Sequence, residues 1–271
     1  MPSYAITGVS RGLGWELMKQ LSSDPSNTII GIVRNQPPTD KRVAEELSGR
    51  SNIAILNADL SKRDTLKKAA AEAEAILGGG LDYLFASAAY ITDFDVFDGL
   101  GTLAERPQQL SDEFHQLMDT NVLANIHLYS AFLPLILKGK AKKVVAITSG
   151  LGDIDWTNDY ELEAQSLYAI SKAALNMVTA KFNAQYKKDG VLFLSVCPGL
   201  VEVGHFQEPT EEQKAKWVAL MTKFSKYAPN FKGPDTPQQA VKAVLSVVAN
   251  SSLEQGDGGA FLSKCKNKQW L

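Results

Sequence analysis

Tyr168 and Lys172 stand four residues apart in Tyr-Ala-Ile-Ser-Lys, inside a segment whose apolar spacing predicts a long helix over Gln165–Lys187. On a helix that separation puts both side chains on one face. An ammonium beside a phenol favours the phenolate and lowers a pKa otherwise near ~10, so the pair is suited to exchanging a proton near neutral pH. The same spacing is common on exposed helix faces, and it acquires meaning only with partners. Ser149 is one candidate. It follows the apolar run Val144–Thr148, at the carboxyl edge of a strand, where open α/β sheets form a ligand crevice and where a serine can equally cap a turn.

A second group of residues suits a phosphate. The run Thr7-Gly8-Val9-Ser10-Arg11-Gly12-Leu13-Gly14 leads from an apolar strand into a helix. Its glycines let the backbone turn sharply and approach a pyrophosphate, whose charge is stabilised by the first N–H groups and the dipole of that helix. The strand Thr28–Val33 ends in Arg34-Asn35, and no acid follows until Asp40. In dinucleotide sites a carboxylate there takes the 2′-hydroxyl of NAD, whereas an arginine accommodates the 2′-phosphate of NADP. Arg34, with Ser10 and Arg11 across the glycine turn, therefore predicts NADP(H). The alternative is an arginine that faces solvent at a strand end.

These side chains need a scaffold, and the sequence alternates the elements of one. Short β-branched and aliphatic runs predict strands at Tyr4–Thr7, Thr28–Val33, Ile53–Leu56, Tyr83–Phe85, Val144–Thr148 and Leu192–Val196, with a last short one at Gly259–Leu262. Between them, helical spacing marks Gly12–Leu21, Asp40–Leu47, Arg63–Leu77, Ser111–Leu137, Gln165–Lys187 and Pro237–Asn250. Strands that read as continuous apolar runs are buried on both faces. The expected fold is thus α/β, a single-domain doubly wound Rossmann fold over 1–271, with a mostly parallel sheet of six or seven strands and helices on both faces. Two connections, Ser87–Gln108 and Val201–Asp235, are too long for this rhythm and follow strands where a ligand crevice forms. The second carries Trp217, Phe224, Tyr227 and Phe231 and is expected to act as a flap over a substrate.

A chain of 271 residues is long enough for one large core and short for two ordinary domains. The formal net charge of -2 offers no electrostatic footprint for nucleic acid or an anionic membrane. The apolar run Leu128–Leu137 falls well short of the ~20 residues of a bilayer span, and the first strand leaves no room for a secretory leader. Cys197 and Cys265 form neither a disulfide framework nor a metal-ligand pattern. His115, His127 and His205 also lack metal-ligand spacing; the first two read as helix residues and His205 as a pocket candidate. No nucleic-acid partner, no membrane, no metal and a reducing, cytoplasmic setting are expected.

The spacing Gly-x-x-x-Gly-x-Gly, followed in order by Ser149, Tyr168-x-x-x-Lys172 and Cys197-Pro198-Gly199, resembles the short-chain dehydrogenase/reductase family over about residues 1 to 205. The resemblance implies that Ser149 hydrogen-bonds a substrate oxygen, that Tyr168 protonates it, and that Lys172 orients the ribose while lowering the tyrosine pKa. Asn121, in Met118-Asp119-Thr120-Asn121-Val122, resembles the asparagine that holds a water beside the lysine; Asn125 is a nearby rival. Asp59 and Leu60 match residues beside the adenine, although Asp59 also suits a helix N-cap before Arg63. Pro198 and Gly199 match the turn beside the nicotinamide, with Val201 and Val203 in backbone reach. Ala86-Ser87-Ala88-Ala89 stands where the family usually carries Asn-Asn-Ala-Gly, and Val203 where it often has a threonine.

The activity implied is reduction of a small ketone or aldehyde with an apolar or aromatic body, given Trp156 and Tyr160 in the Gly150–Ala164 loop and Trp217 in the flap. A fold does not fix a function. An epimerase, isomerase or dehydratase on the same scaffold, and a dinucleotide-binding protein without turnover, are the alternative readings. Family members often pair through helices corresponding to 111–137 and 165–187, which implies a homo-oligomer, while others are monomers.

Overall fold

Strands with apolar residues on both faces can be buried only between two layers, and the computed structural model, which describes residues 1–202 and 210–271, builds that arrangement. β1 (Ser3–Thr7), β2 (Thr28–Val33), β3 (Ile53–Asn57), β4 (Tyr83–Ala86), β5 (Lys143–Ile147), β6 (Leu192–Cys197) and β7 (Phe261–Ser263) form a seven-stranded sheet in the order β3-β2-β1-β4-β5-β6-β7. Every pairing is parallel. Neighbouring residues within a strand serve opposite layers: Ala5 and Phe193 pack with Leu66, Tyr129 and Phe132, whereas Ile6 and Leu194 pack with Met18, Val241 and Val244. Full burial of side chains of this size contributes about 1.5–3 kcal/mol each. The expected doubly wound α/β class is what forms.

The helices are α1 (Gly12–Leu21), α2 (Gln36–Glu46), α3 (Arg63–Leu77), α4 (Leu100–Leu103), α5 (Pro107–Met118), α6 (Ala124–Lys138), α7 (Ile154–Tyr160), α8 (Ser166–Tyr186), α9 (Glu211–Tyr227) and α10 (Pro237–Ala249). α2 starts earlier than Asp40 because Pro37 and Pro38 occupy its first turn, where a missing N–H is no loss. The connections outside the strand–helix rhythm contain α4, the start of α5, α7 and, in the segment 201–235 expected to be a partly helical flap, α9. α9 opens with a capping box between Thr210 and Gln213, a local signal that the sequence reading overlooked. The expected helix Ser111–Leu137 runs over Pro107–Lys138 and is broken in phase by a single π turn, Asp119–Leu123. By length and composition this stretch is apolar enough to cross a bilayer. Leu128, Phe132 and Ile136 are nevertheless fully buried against the sheet, which makes it a core helix.

The amino ends of the strands are closed by one carboxylate. Asp82 accepts the N–H of Ser3 (3.0 Å), Lys140 (2.7 Å) and Ala141 (3.1 Å) and the Ser3 hydroxyl (3.3 Å). Burial alone pushes its pKa up, but these donors outweigh burial and hold it below the usual carboxylate range. A folded-state pKa below the unfolded one stabilises the fold above about pH 4, and that contribution is lost as pH falls through the folded value. Asp82→Ala is expected to cost roughly 2–4 kcal/mol at pH 7, because it orphans buried N–H groups. Urea unfolding of both proteins at pH 7 and pH 3 checks this: the gap should narrow in acid.

Candidate functional site

The strand order reverses between β1 and β4, and the carboxyl ends of the strands there open a cleft of about 730 Å³. Gly8, with φ +76°, lies against the turn after β4; a Cβ on it would meet Ala88 Cα at 2.9 Å. A Cβ on Gly14 would run into the Gly8 carbonyl. Glycine is required at both places so that α1 can start directly behind the turn. Gly8, Ser10, Arg11, Gly12, Leu13 and Gly14 all border the cleft, and the first turn of α1 carries no acid.

Thr7 fastens the turn after β4 in place of the missing asparagine amides: its hydroxyl accepts the N–H of Ser87 (3.0 Å) and Ala88 (3.1 Å). Nothing but a threonine at a strand end announced this in the sequence. Ser87 and Ala88 border the cleft, and the Ser87 hydroxyl is buried with no partner. Ala86 does not reach the cleft as expected. It is the last residue of β4 and points into the core beneath it, 2% exposed.

Arg11 and Arg34 border the cleft from the surface. A third cation lies behind them and was missed: Arg42 stacks 3.9 Å over the Trp15 ring and donates to the Ser10 carbonyl at 3.1 Å. Asp59 and Leu60 are cleft residues. Asp59 does not cap α3, whose N-cap position is Lys62. Its carboxylate accepts the Ser61 hydroxyl (2.7 Å) and N–H (3.0 Å), and these bonds hold its pKa low.

Lys172 is 2% exposed and donates to the Ile147 carbonyl, at the end of β5, at 2.9 Å. Burial lowers its pKa to about 8, so it is still charged at neutral pH. Its Nζ lies 5.4 Å from the centre of the Tyr168 ring. Contrary to expectation, the net shift at Tyr168 is upward. Burial pushes the Tyr168 phenol up, with Cys197 and Asp95 adding to the shift, and the ammonium is directed at a carbonyl instead.

Ser149 shares the cleft with Tyr168 and Lys172. Its hydroxyl oxygen accepts the Leu151 N–H at 3.2 Å, so it caps the short 3₁₀ turn 150–152 and also faces the cleft. The Thr148 hydroxyl is engaged by Asn176 at 2.7 Å. Asn121 is fully buried in the π turn and absent from the cleft wall. Its amide accepts the Tyr90 N–H (2.7 Å) and donates to the Tyr90 carbonyl (2.9 Å) and the Ser171 hydroxyl (3.0 Å). Asn125 donates to the Asn121 carbonyl at 2.8 Å and so supports it. Pro198, Gly199 and Val201 border the cleft, while Val203 and His205 lie outside the described residues. Cys197 joins the two turns at this edge, its Sγ accepting the N–H of Gly150 (3.1 Å) and Gly199 (3.4 Å).

The far end of the cleft is aromatic: Trp156, Trp217, Phe224 and Trp270 border it with Leu220. Tyr160 packs edge-on against Tyr227 rather than lining the cleft. Trp270, 2% exposed, stacks on Phe261 with centroids 4.2 Å apart, and its backbone N–H donates to the Tyr227 hydroxyl at 2.8 Å. No periodicity marks this residue in the sequence. Gly150, beside Ser149, lies outside the left-handed region, yet a Cβ there would meet Trp270 Cβ at 2.6 Å. Among the described residues no group of side chains could hold a metal ion.

A profile of short chain dehydrogenases matches residues 3–214. The short chain dehydrogenase virK of Hypocrea virens is 51% identical over 271 residues, and the short-chain dehydrogenase/reductase iacC of Pestalotiopsis fici is 47% identical over 272 residues; each match covers 100% of both chains. Among solved structures, an NADPH-bound carbonyl reductase from chicken fatty liver superposes with TM-score 0.74 at 23% identity, covering 98% of both chains. The carbonyl reductase Sniffer of D. melanogaster does so with TM-score 0.76 at 24% identity and the same coverage.

The Gly150–Trp270 approach makes a quantitative expectation. Gly150→Ala should cost about 1–3 kcal/mol by overpacking, and Trp270→Ala about 3–5 kcal/mol. In a Trp270→Gly background, which removes the facing Cβ that Trp270→Ala keeps, the alanine at 150 should cost much less, a coupling that a double-mutant cycle of urea unfolding measures.

Proposed function

From a chain that belongs to the short-chain dehydrogenase family of oxidoreductases, we propose a carbonyl reductase that uses NADPH and reduces a small ketone or aldehyde with an apolar or aromatic body. The observation that carries this reading is convergence: the glycine turn, Ser149, Tyr168 and Lys172 border one cleft whose far end is aromatic. Both superposed neighbours are carbonyl reductases, one with NADPH bound.

The residues present fit the dinucleotide. A Cβ at Gly8 would meet Ala88 and one at Gly14 the Gly8 carbonyl, so the turn keeps its shape only with glycine; the Ser87 hydroxyl is buried without a partner, and Arg11 and Arg34 border the same cleft. Gly8–Gly14 and the N-terminus of α1 would hold the pyrophosphate, the arginines the 2′-phosphate, and Pro198, Gly199 and Val201 the nicotinamide end. NADPH supplies the hydride. Ser149 donates a hydrogen bond to the carbonyl oxygen as charge develops there, a contribution of about 2.7–4 kcal/mol for such a donor. Tyr168 gives its Oη proton to that oxygen, and a phenol pushed upward holds the proton until an alkoxide forms. Lys172, charged at neutral pH, orients the ribose. Asn121 is a positioning residue, acting through Ser171 and the Tyr90 backbone. The chain works as one unit, α9 covering the substrate end, and exposed Leu123, Ile170 and Met177 favour pairing through the long helices.

Tyr168→Phe should lower kcat by about a hundredfold or more while NADPH affinity changes little, since a general acid is worth 10²–10⁴-fold. NADPH oxidation with a panel of ketones and aldehydes, together with calorimetry for the cofactor, is the check; more than about a tenth of the wild-type rate would exclude the assignment.

NADPH should bind about tenfold to a hundredfold more tightly than NADH for each charge-assisted contact to the 2′-phosphate. Arg34→Ala and Arg11→Ala should each narrow the gap. Equal affinities in the wild type would put the phosphate elsewhere.

A further inference from the structure

The first N–H groups of a helix need acceptors, usually from the N-cap side chain. α8, which carries Tyr168 and Lys172, begins without one: Gln165 at its N-cap is left-handed, with φ 55°, and its side chain caps nothing. The acceptor comes from the connection after β4. Asp95 Oδ2 accepts the Tyr168 N–H at 2.9 Å, across 73 residues of sequence; the Leu167 N–H also acts on the carboxylate, whose Oδ1 is buried with no hydrogen-bond partner. The Asp95 backbone carbonyl accepts the Gln165 N–H at 2.8 Å. We infer that Asp95 is a positioning residue for Tyr168, capping the catalytic helix from outside and fixing where the phenol stands. The inference rests on the reading of Tyr168 as proton donor.

Asp95 is 1% exposed, beside Phe94, Leu103, Leu117 and Leu167. No cation pairs with it among the described residues; the charged group facing it from α5 is Glu113, which accepts the Tyr90 hydroxyl at 2.9 Å and disfavours a second carboxylate. What offsets its charge is the N-terminal end of α8 itself. Burial still pushes the Asp95 pKa up. Lys172 and the Cys197 thiol border the same cleft as the phenol. A carboxylate bound to the backbone of Tyr168 therefore opposes formation of a phenolate on that residue, and it sets the axial position of the side chain. A local cap could do the second. Only a remote one also ties the 87–108 connection, which supplies Tyr90, Ile91 and Val96 to the cleft, to the helix that does the chemistry.

The test compares wild type with Asp95→Asn and Asp95→Ala. It reads hydrogen exchange at the Tyr168 amide, the alkaline absorbance titration of Tyr168 isolated by subtracting each form's Tyr168→Phe counterpart, and kcat against KM. Asp95→Ala should speed exchange at the Tyr168 amide at least tenfold and lower kcat by about tenfold to a hundredfold, the scale of a misplacement near 1 Å, with KM for NADPH unchanged. Asp95→Asn, which keeps an acceptor and removes the charge, should restore protection and most of kcat, yet its phenol should titrate at lower pH than in the wild type. Unchanged exchange in the alanine variant, or a phenol that titrates at the wild-type pH in the asparagine variant, overturns the inference. A wild type inactive on every carbonyl would remove the reductase reading alone, because exchange and titration still decide the role of Asp95.

Discussion

A buried ammonium cannot be left without an acceptor, and the site is arranged around the one belonging to Lys172. Its bond to the Ile147 carbonyl joins α8 to the end of β5, the strand that delivers Ser149. Because Tyr168 lies one turn earlier on the same face, that bond also sets the distance between the phenol and the serine. The surrounding contacts serve the same geometry from other directions. Cys197 binds the turns after β5 and β6 to each other, and Asn121 binds α8 to the backbone at Tyr90 through Ser171.

What the sequence reveals is what local spacing carries. Tyr168 and Lys172 are legible because helix geometry converts a four-residue gap into a shared face, and the glycine turn because only glycine tolerates the approach at Gly8 and Gly14. The sheet is legible because burial on both faces leaves unbroken apolar runs. Asp95, Trp270 and Thr7 are illegible for the opposite reason: each acts on a segment far away in the chain. Ala86 shows a related limit. A motif position does not carry the strand alternation that turns that residue into the core. The upward shift at Tyr168 is illegible because proximity of a lysine says nothing about burial or about which acceptor the ammonium meets.

The two ends of the sheet are built to different standards. At the amino ends, Asp82 satisfies several backbone donors at once and locks the start of β1 to the segment before β5. At the carboxyl ends, glycine turns and single side-chain bonds leave a cleft between β1 and β4. A rigid base under an adjustable rim is what a site on strand ends requires. Thr7 illustrates the adjustment, since one hydroxyl does for the turn after β4 what the family's usual amides do elsewhere.

Each residue of an α-helix advances the chain by about 100°, so the single wide turn at Asp119–Leu123 swings everything after it relative to what came before. Leu117 ahead of it faces the cluster with Phe94 and Leu167; Leu128 and Phe132 beyond it face the sheet. One continuous rod thus serves two surroundings: Pro107–Met118 carries the wall beside Tyr90 and Tyr168, and Ala124–Lys138 the core beneath the sheet. The wide turn lets a substitution in the first half change that wall while the core-facing half keeps its place.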